Sequence, residues 1–211
     1  MYKHGIKRLI DLLFSIVGLP FFAIIFIVVA PIIYLTDKGP VFYNADRLGY
    51  KGKIYKMYKF RSMRVNAPDL RNKDGSTYNG DDDPRVTRIG RIMRKTSIDE
   101  APQLLNVLKG DMSVIGPRPH MVATYKGYDS LSERSKKRLE VRPGITGYSQ
   151  AYFRNSIGAD EKDENDCYYV DHVSFPFDVK IFWQTVKSVL LRKNIYVTES
   201  APVTVQESEK K

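Results

Sequence analysis

Asp99 and Glu100 stand side by side where a helical pattern begins, in Thr96-Ser-Ile-Asp-Glu-Ala-Pro-Gln-Leu-Leu-Asn-Val-Leu108. Arg88, Arg91, Arg94 and Lys95 come just before the pair, and Pro117-Arg118-Pro119 follows it after Gly110-Asp-Met-Ser-Val-Ile-Gly116. Acidic residues are common in first turns for stability alone, because the helix dipole and free amides favour anions there. The surrounding cations point further, to phosphoryl chemistry, in which a carboxylate attacks phosphorus and fixed cations hold the phosphate oxygens. Ser97 and Glu100 have capping-box spacing, whereas Pro102 suits a first turn and argues for a helix start nearer Asp99. Downstream, the turn-rich Arg142-Pro-Gly-Ile-Thr-Gly147 leads to Gln150 and Arg154, further candidates for holding phosphate. A second chemistry is conceivable at Asp81-Asp82-Asp83, an acidic cluster of the kind that binds metal in nucleotide-sugar glycosyltransferases. A solvated loop tip within the polar stretch 66–84 competes with it.

The elements that position these residues start with the least polar segment. From Leu12 to Thr36 no side chain is charged, a run longer than the roughly 20 apolar residues that cross a bilayer as a helix. Lys3, Lys7 and Arg8 precede it; Lys38, Arg47, Lys51 and Lys53 follow. The positive-inside tendency therefore places both ends in the cytoplasm. Pro20 removes an amide donor and clashes one turn back, so the helix is expected to bend there and return to the same face, with Ser15 as a helper for the freed backbone. Pro31 is the alternative kink. A re-entrant hairpin reconciles both basic flanks better than a full span does.

Beyond it, Val41–Asn44 and Ile54–Lys59 are β-type runs around Leu48-Gly-Tyr-Lys-Gly52, the pattern of a hairpin. Val86 onward reads as a helix carrying the arginines, and Phe177–Arg192 as an amphipathic helix that suits either the core or a membrane interface. The chain has 211 residues, one domain's worth with an appendage, and Lys+Arg 34 against Asp+Glu 24 gives +10. Anionic partners are favoured: nucleic acid, acidic lipid or phosphorylated small molecules. No recognisable nucleic-acid-binding signature accompanies the tyrosines and lysines of the hairpin, so nucleic acid is not expected. Cys167 is the single cysteine, which excludes an internal disulfide, and with His4, His120 and His172 scattered a zinc cluster is improbable.

The block Ser97–Pro119, SIDEAPQLLNVLKGDMSVIGPRP, resembles the signature of the bacterial sugar transferases, the small monotopic polyprenyl-phosphate phosphoglycosyl transferases. The resemblance extends to Lys7-Arg8-Leu-Ile-Asp11, Lys38-Gly-Pro-Val-Phe42, Tyr58-Lys-Phe-Arg-Ser-Met63 and Val141-Arg-Pro-Gly-Ile-Thr-Gly147, and covers the chain to about residue 195. It implies a transfer of sugar 1-phosphate from a UDP-sugar to undecaprenyl phosphate with release of UMP, the first membrane step of surface polysaccharide or glycoconjugate synthesis. It further implies Asp99 as nucleophile with Glu100 beside it, and Mg²⁺ held at the same two carboxylates. Lys59, Arg61, Arg94, Arg118, Arg142, Gln150 and Arg154 are the expected substrate-binding set. Many relatives carry Ser-Pro at the membrane bend where this chain has Leu19-Pro20. The expected fold is α+β and mainly helical: a re-entrant, Pro20-bent membrane helix over 1–37, a catalytic domain on the cytoplasmic face over 38–197 with a small β-hairpin and interfacial amphipathic helices, and a polar, disordered tail over 198–211. Membrane lipid and the later glycosyltransferases of the pathway are the expected partners; a homodimer is left open. The alternatives are a metal-dependent glycosyltransferase using Asp81–Asp83 and a non-catalytic, membrane-anchored basic module.

Overall fold

The computed structural model describes residues 2–71, 78, 80–122, 125–154, 156–191 and 203–204. After a wide helical turn over Tyr2–Ile6, a single long helix, α1, runs Lys7–Asp37. An antiparallel hairpin follows, β1 (Phe42–Leu48) with β2 (Ile54–Phe60), in register from Phe42 opposite Phe60 to Leu48 opposite Ile54. Its connection is a tight turn over Tyr50–Gly52, where Lys51 and Gly52 both take positive φ. Then come the two-residue β3 (Leu70–Arg71), α2 (Arg88–Thr96), α3 (Gln103–Lys109) and β4 (Ser113–Ile115). The rest is mostly helical: α4 (Glu133–Arg138), β5 (Gly144–Thr146), α5 (Tyr148–Tyr152), α6 (Ala159–Asp171) and α7 (Phe175–Leu190). Of the tail from 198, only β6 (Val203–Thr204) is described, paired antiparallel with β3; the remainder of that tail lies outside the described residues. The architecture is mainly helical with small sheets.

α1 is long and apolar enough to cross a membrane. It does not break at Pro20: the helix continues through both Pro20 and Pro31 to a left-handed cap at Lys38. Tertiary packing accounts for this, since one stripe of α1 touches the rest of the chain along its whole length. Lys7, Asp11 and Ser15 are buried at one end and Val29, Ala30 and Ile33 at the other, while Leu104 lies against Gly18 in between. The Ser15 hydroxyl is buried without a partner, so it does not serve the backbone as expected. The opposite stripe, including Leu13, Val17, Phe21, Ile24, Ile27 and Leu35, is exposed.

Both ends of α1 are fastened by charge. Lys7 donates to Asp178 of α7 at 2.6 Å, and Asp178 also accepts from Tyr2 and Tyr169. Asp11 accepts from the Ser113 hydroxyl at 2.8 Å and the Val114 amide at 2.9 Å, tying α1 to β4. Arg8 donates to the Val107 and Leu108 carbonyls at the C-terminal end of α3. At the far end Asp37 takes a two-pronged contact from Arg61, both bonds at 2.6 Å. A ring cluster of Phe22, Phe26, Phe42 and Phe60 packs beside it.

The main core gathers Tyr55, Met57, Val107, Met112, Ile115, Val141, Tyr169 and Ile181. α7 is amphipathic: Ile181 is fully buried in this core, while Trp183 and Leu190 are exposed. α7 also lies beside α1, with the Phe182 ring edge-on to Phe14.

Candidate active site

Asp99 and Glu100 occupy a single 3-10 turn, Ile98–Glu100, wedged between α2 and α3. The turn exists because Ser97 adopts the left-handed conformation, φ 59°, and ends α2. The capping box read from the sequence does not form: the Ser97 hydroxyl caps no amide and instead accepts from the Arg154 guanidinium at 3.1 Å. Arg154 is itself at φ 52°, so two side-chain-bearing residues in a costly backbone region are bonded to each other at this spot. Strain of that kind tends to collect at functional sites.

Lys59 of β2 donates to Glu100 Oε1 at 2.6 Å, and an Arg118 terminal nitrogen lies 3.9 Å from the same oxygen. Arg94, on the last turn of α2, donates from Nε to the Ser62 hydroxyl and acts electrostatically on Asp99. The two adjacent carboxyls respond in opposite directions. Burial lifts Asp99 to about 6 against the pull of Lys59, with the charge of Glu100 adding to the rise and Arg94 opposing it. Burial also acts upward on Glu100, but Lys59, Arg118 and Arg154 outweigh it and hold that carboxyl below its usual range. Neighbouring acids pushed apart in this way are the arrangement by which one stays a fixed charge and the other is reactive.

Of the residues singled out in the sequence, Lys59, Arg94, Arg118 and Arg154 surround the pair; three are placed elsewhere. Arg61 is buried, and its donors go to Asp37 and to the Pro40, Met63 and Ile33 carbonyls, leaving it as a strut for α1 rather than a phosphate ligand. Arg142 bonds the Gly110 carbonyl at 2.9 Å and lies over the Tyr50 ring, at the end of α3 remote from the dyad. Gln150, on α5, bonds the Ile145 carbonyl of the adjoining β5. The acidic cluster is also accounted for. Asp83 is fully buried in a two-pronged pair with Arg85, Asp82 accepts from Tyr78, and Asp81 lies 3.6 Å from Lys95. Among the described residues no three His, Cys, Asp or Glu side chains converge as a metal cluster.

Two residues near Arg118 were not anticipated. The Tyr55 hydroxyl is buried without a hydrogen-bond partner, under the influence of Arg47 and Arg118. Lys162 of α6 is half-buried, and both its burial and nearby Arg118 push its ammonium below the usual range. In the sequence Lys162 sits in an acidic helix and looks like a solvated surface residue; only its spacing of four from Asp166 hints at a common face.

The Pro-Arg-Pro and Arg-Pro-Gly-Ile-Thr-Gly stretches meet back to back. β4 and β5 pair in parallel, and the Gly116 amide donates to the Thr146 carbonyl at 2.9 Å. A Cβ on Gly144 would stand 2.1 Å from the Gly116 nitrogen, so only glycine permits this approach.

A carboxylate pair thus stands among basic residues, on a small helical body fastened along a helix long and apolar enough to cross a membrane. The chain belongs to the bacterial sugar transferase family, whose profile matches residues 2–192. It is 44% identical over 90% of its length to the galactosyl transferase CpsE of Streptococcus agalactiae, covering 43% of that protein. It is 42% identical to the uncharacterized sugar transferase EpsL of Bacillus subtilis, covering 92% of this chain and 91% of that one. Identity to the UDP-glucose:undecaprenyl-phosphate glucose-1-phosphate transferase of Escherichia coli is 38% over 90% of this chain and 41% of the relative. The chain thus spans under half the length of some curated relatives and nearly all of another.

Proposed function

We propose that this protein is a phosphoglycosyl transferase that moves sugar 1-phosphate from a UDP-sugar to undecaprenyl phosphate and releases UMP. The observation that carries the reading is the Asp99–Glu100 pair with its divergent acidities, facing Lys59, Arg94, Arg118 and Arg154. The Asp99 carboxylate attacks the sugar-bearing phosphorus, and the bond from that phosphorus to the UMP oxygen breaks. An acyl phosphate results. An oxygen of the lipid phosphate then attacks the same phosphorus, and the carboxylate leaves. Two displacements at phosphorus give ping-pong kinetics and keep the anomeric carbon–oxygen bond intact. The basic residues neutralise the diphosphate and the charge that develops on the leaving phosphate.

Mg²⁺ fits the donor chemistry of Asp99 and Glu100, since it takes one or two carboxylates and completes its shell with water and substrate phosphate. When bound it would supply charge neutralisation on the phosphate oxygens. Glu100, gripped by Lys59, keeps a fixed negative charge beside the nucleophile.

We read the membrane disposition as monotopic on the cytoplasmic face. Support comes from α1: its two ends, about 45 Å of helix apart if straight, are both tied by ion pairs to the same body, while its other stripe is apolar and exposed. A full span would pull one end away from its partner. Exposed Trp183 and Leu190 on neighbouring α7 extend the apolar surface.

The deciding experiment is a quenched reaction with a panel of UDP-sugars. The expected results are UMP as product and, without acceptor, a phosphosugar on Asp99 by peptide mass spectrometry; UDP as product, or the adduct on another residue, overturns the reading. For topology, a cysteine placed at residue 2 should resist labelling from outside intact cells, and labelling there argues for a full span.

A further inference from the structure

Arg118 reaches the dyad from a loop whose backbone is held down at successive carbonyls. Pro117 O accepts from the Gly144 amide at 2.9 Å, Arg118 O from the Arg138 guanidinium at 3.0 Å, and His120 O from the Leu48 amide at 3.0 Å. Two of these holds are backbone to backbone. The middle one, on Arg118 itself, is the only one made by a side chain. It comes from a buried ion cluster. Arg138 Nη1 lies 3.0 Å from Asp163, its Nη2 and Nε bond Asp166, and Asp163 also takes the His120 ring nitrogen at 3.2 Å.

The Arg138 and Asp166 side chains are only 5% and 2% exposed, whereas the Arg118 side chain they underlie is 54% exposed. Burying an ion pair is a poor way to stabilise a fold, because desolvation consumes most of the attraction, and packed apolar residues often do as well. A guanidinium fork, however, fixes direction: here it spends its donors on two carboxylates and one carbonyl at once, which a lysine cannot do. Pro117 and Pro119 have no amide hydrogen, so beyond their fixed φ the orientation of the tripeptide depends on the hydrogen bonds its carbonyls accept.

We propose that Arg138 and Asp166, braced by Asp163 and His120, are positioning residues that aim Arg118 at the phosphate held over Asp99. The proposal rests on the phosphoglycosyl transferase reading. It makes the effect of the buried pair on turnover pass through Arg118, although neither Arg138 nor Asp166 touches substrate.

The test is a double-mutant cycle on the full chain, scored by UMP release with a turned-over UDP-sugar and undecaprenyl phosphate. Arg118→Ala should lower kcat/KM by about 100-fold, the scale of a lost charge-stabilising donor. Asp166→Asn and Arg138→Lys should each lower it by roughly ten-fold or more in the native background but by less than about two-fold in the Arg118→Ala background. Arg138→Lys keeps the charge beside both carboxylates, so it guards against Asp166→Asn simply failing to fold. Losses that multiply in the double variants, or Arg138→Lys turnover equal to wild type in a folded protein, overturn the proposal. Failure of the underlying reading looks different: no UMP from any UDP-sugar, or full activity in Asp99→Asn.

Discussion

The charges that fasten α1 and the charges around the dyad are arranged on opposite plans. At the fastenings each cation meets a carboxylate and the remaining polar atoms are used: Lys7 with Asp178, which also takes two tyrosine hydroxyls, and Asp37 with Arg61, whose guanidinium also serves backbone carbonyls. At the dyad, Lys59, Arg94, Arg118, Arg154 and, behind Arg118, Lys162 gather around two carboxylates, one of which burial resists ionising. A matched buried pair holds structure and asks for nothing more. Several cations crowded around two carboxylates gain from a further anion, so a ligand that supplies phosphate also stabilises the protein.

Asp99→Asn gives the largest effect on this contrast, and in two directions. It keeps the shape but removes the nucleophile, so UMP release should fall by about 10³-fold or more. The same change should raise thermal stability. A carboxyl lifted to about 6 in the fold binds its proton more tightly there than in the unfolded chain, so its ionisation costs stability as pH rises from about 4 through 6. Melting curves in chelator should therefore show Asp99→Asn more stable than wild type at pH 7 to 8 and equal to it near pH 4. An equal or lower melting temperature at pH 7 would place no strain at the site.

At the fastenings the sign reverses. Asp178→Ala leaves Lys7 buried without its carboxylate, takes an acceptor from the Tyr2 and Tyr169 hydroxyls, and should cost about 3–5 kcal/mol of stability, the usual toll of a broken buried pair. Asp37→Ala should cost less, because Asp37 keeps 22% side-chain exposure and water reaches the orphaned Arg61 more easily. Urea denaturation in detergent ranks the two; the reverse order would make the Asp37–Arg61 pair the stronger fastening, and no loss in Asp37→Ala would mean that the aromatic cluster, not the ion pair, secures that end.

How much of this was legible from sequence follows the same divide. The dyad, Arg94 and Arg118 could be read because they lie in one stretch, with Arg94 five residues before Asp99 and Pro-Arg-Pro just after β4. Arg61 could not, because its role depends on Asp37, across the whole hairpin, and an arginine beside Lys59 looks the same whether it holds phosphate or a carboxylate. Asp166 shares α6 with Asp160, Glu161, Asp163 and Glu164, and nothing local separates the one buried member from its solvated neighbours. The continuity of α1 through Pro20 was missed for a related reason. The local rule for proline is sound, but side chains packed along the entire helix override it, and that stripe becomes visible only once its partners are known.

Lys162 offers the smallest effect and the finest resolution of the contrast. Among the described residues it makes no hydrogen bond and no ion pair within 4 Å; it is half-buried, and Arg118 pushes against its charge while the Asp166 carboxylate draws it more weakly. A lysine holding structure in that setting would cost stability when removed. One contributing only to the field over the dyad would not. Lys162→Ala should leave the stability of the protein without ligand within about 0.5 kcal/mol of wild type, as for a surface change away from structural features. It should weaken UMP binding about three- to ten-fold at low salt, and the difference should shrink as salt rises, because long-range attraction is screened. Titration of UMP at two ionic strengths, beside a melting curve without ligand, measures both. Lost stability with unchanged UMP affinity would move Lys162 to the side of the fastenings.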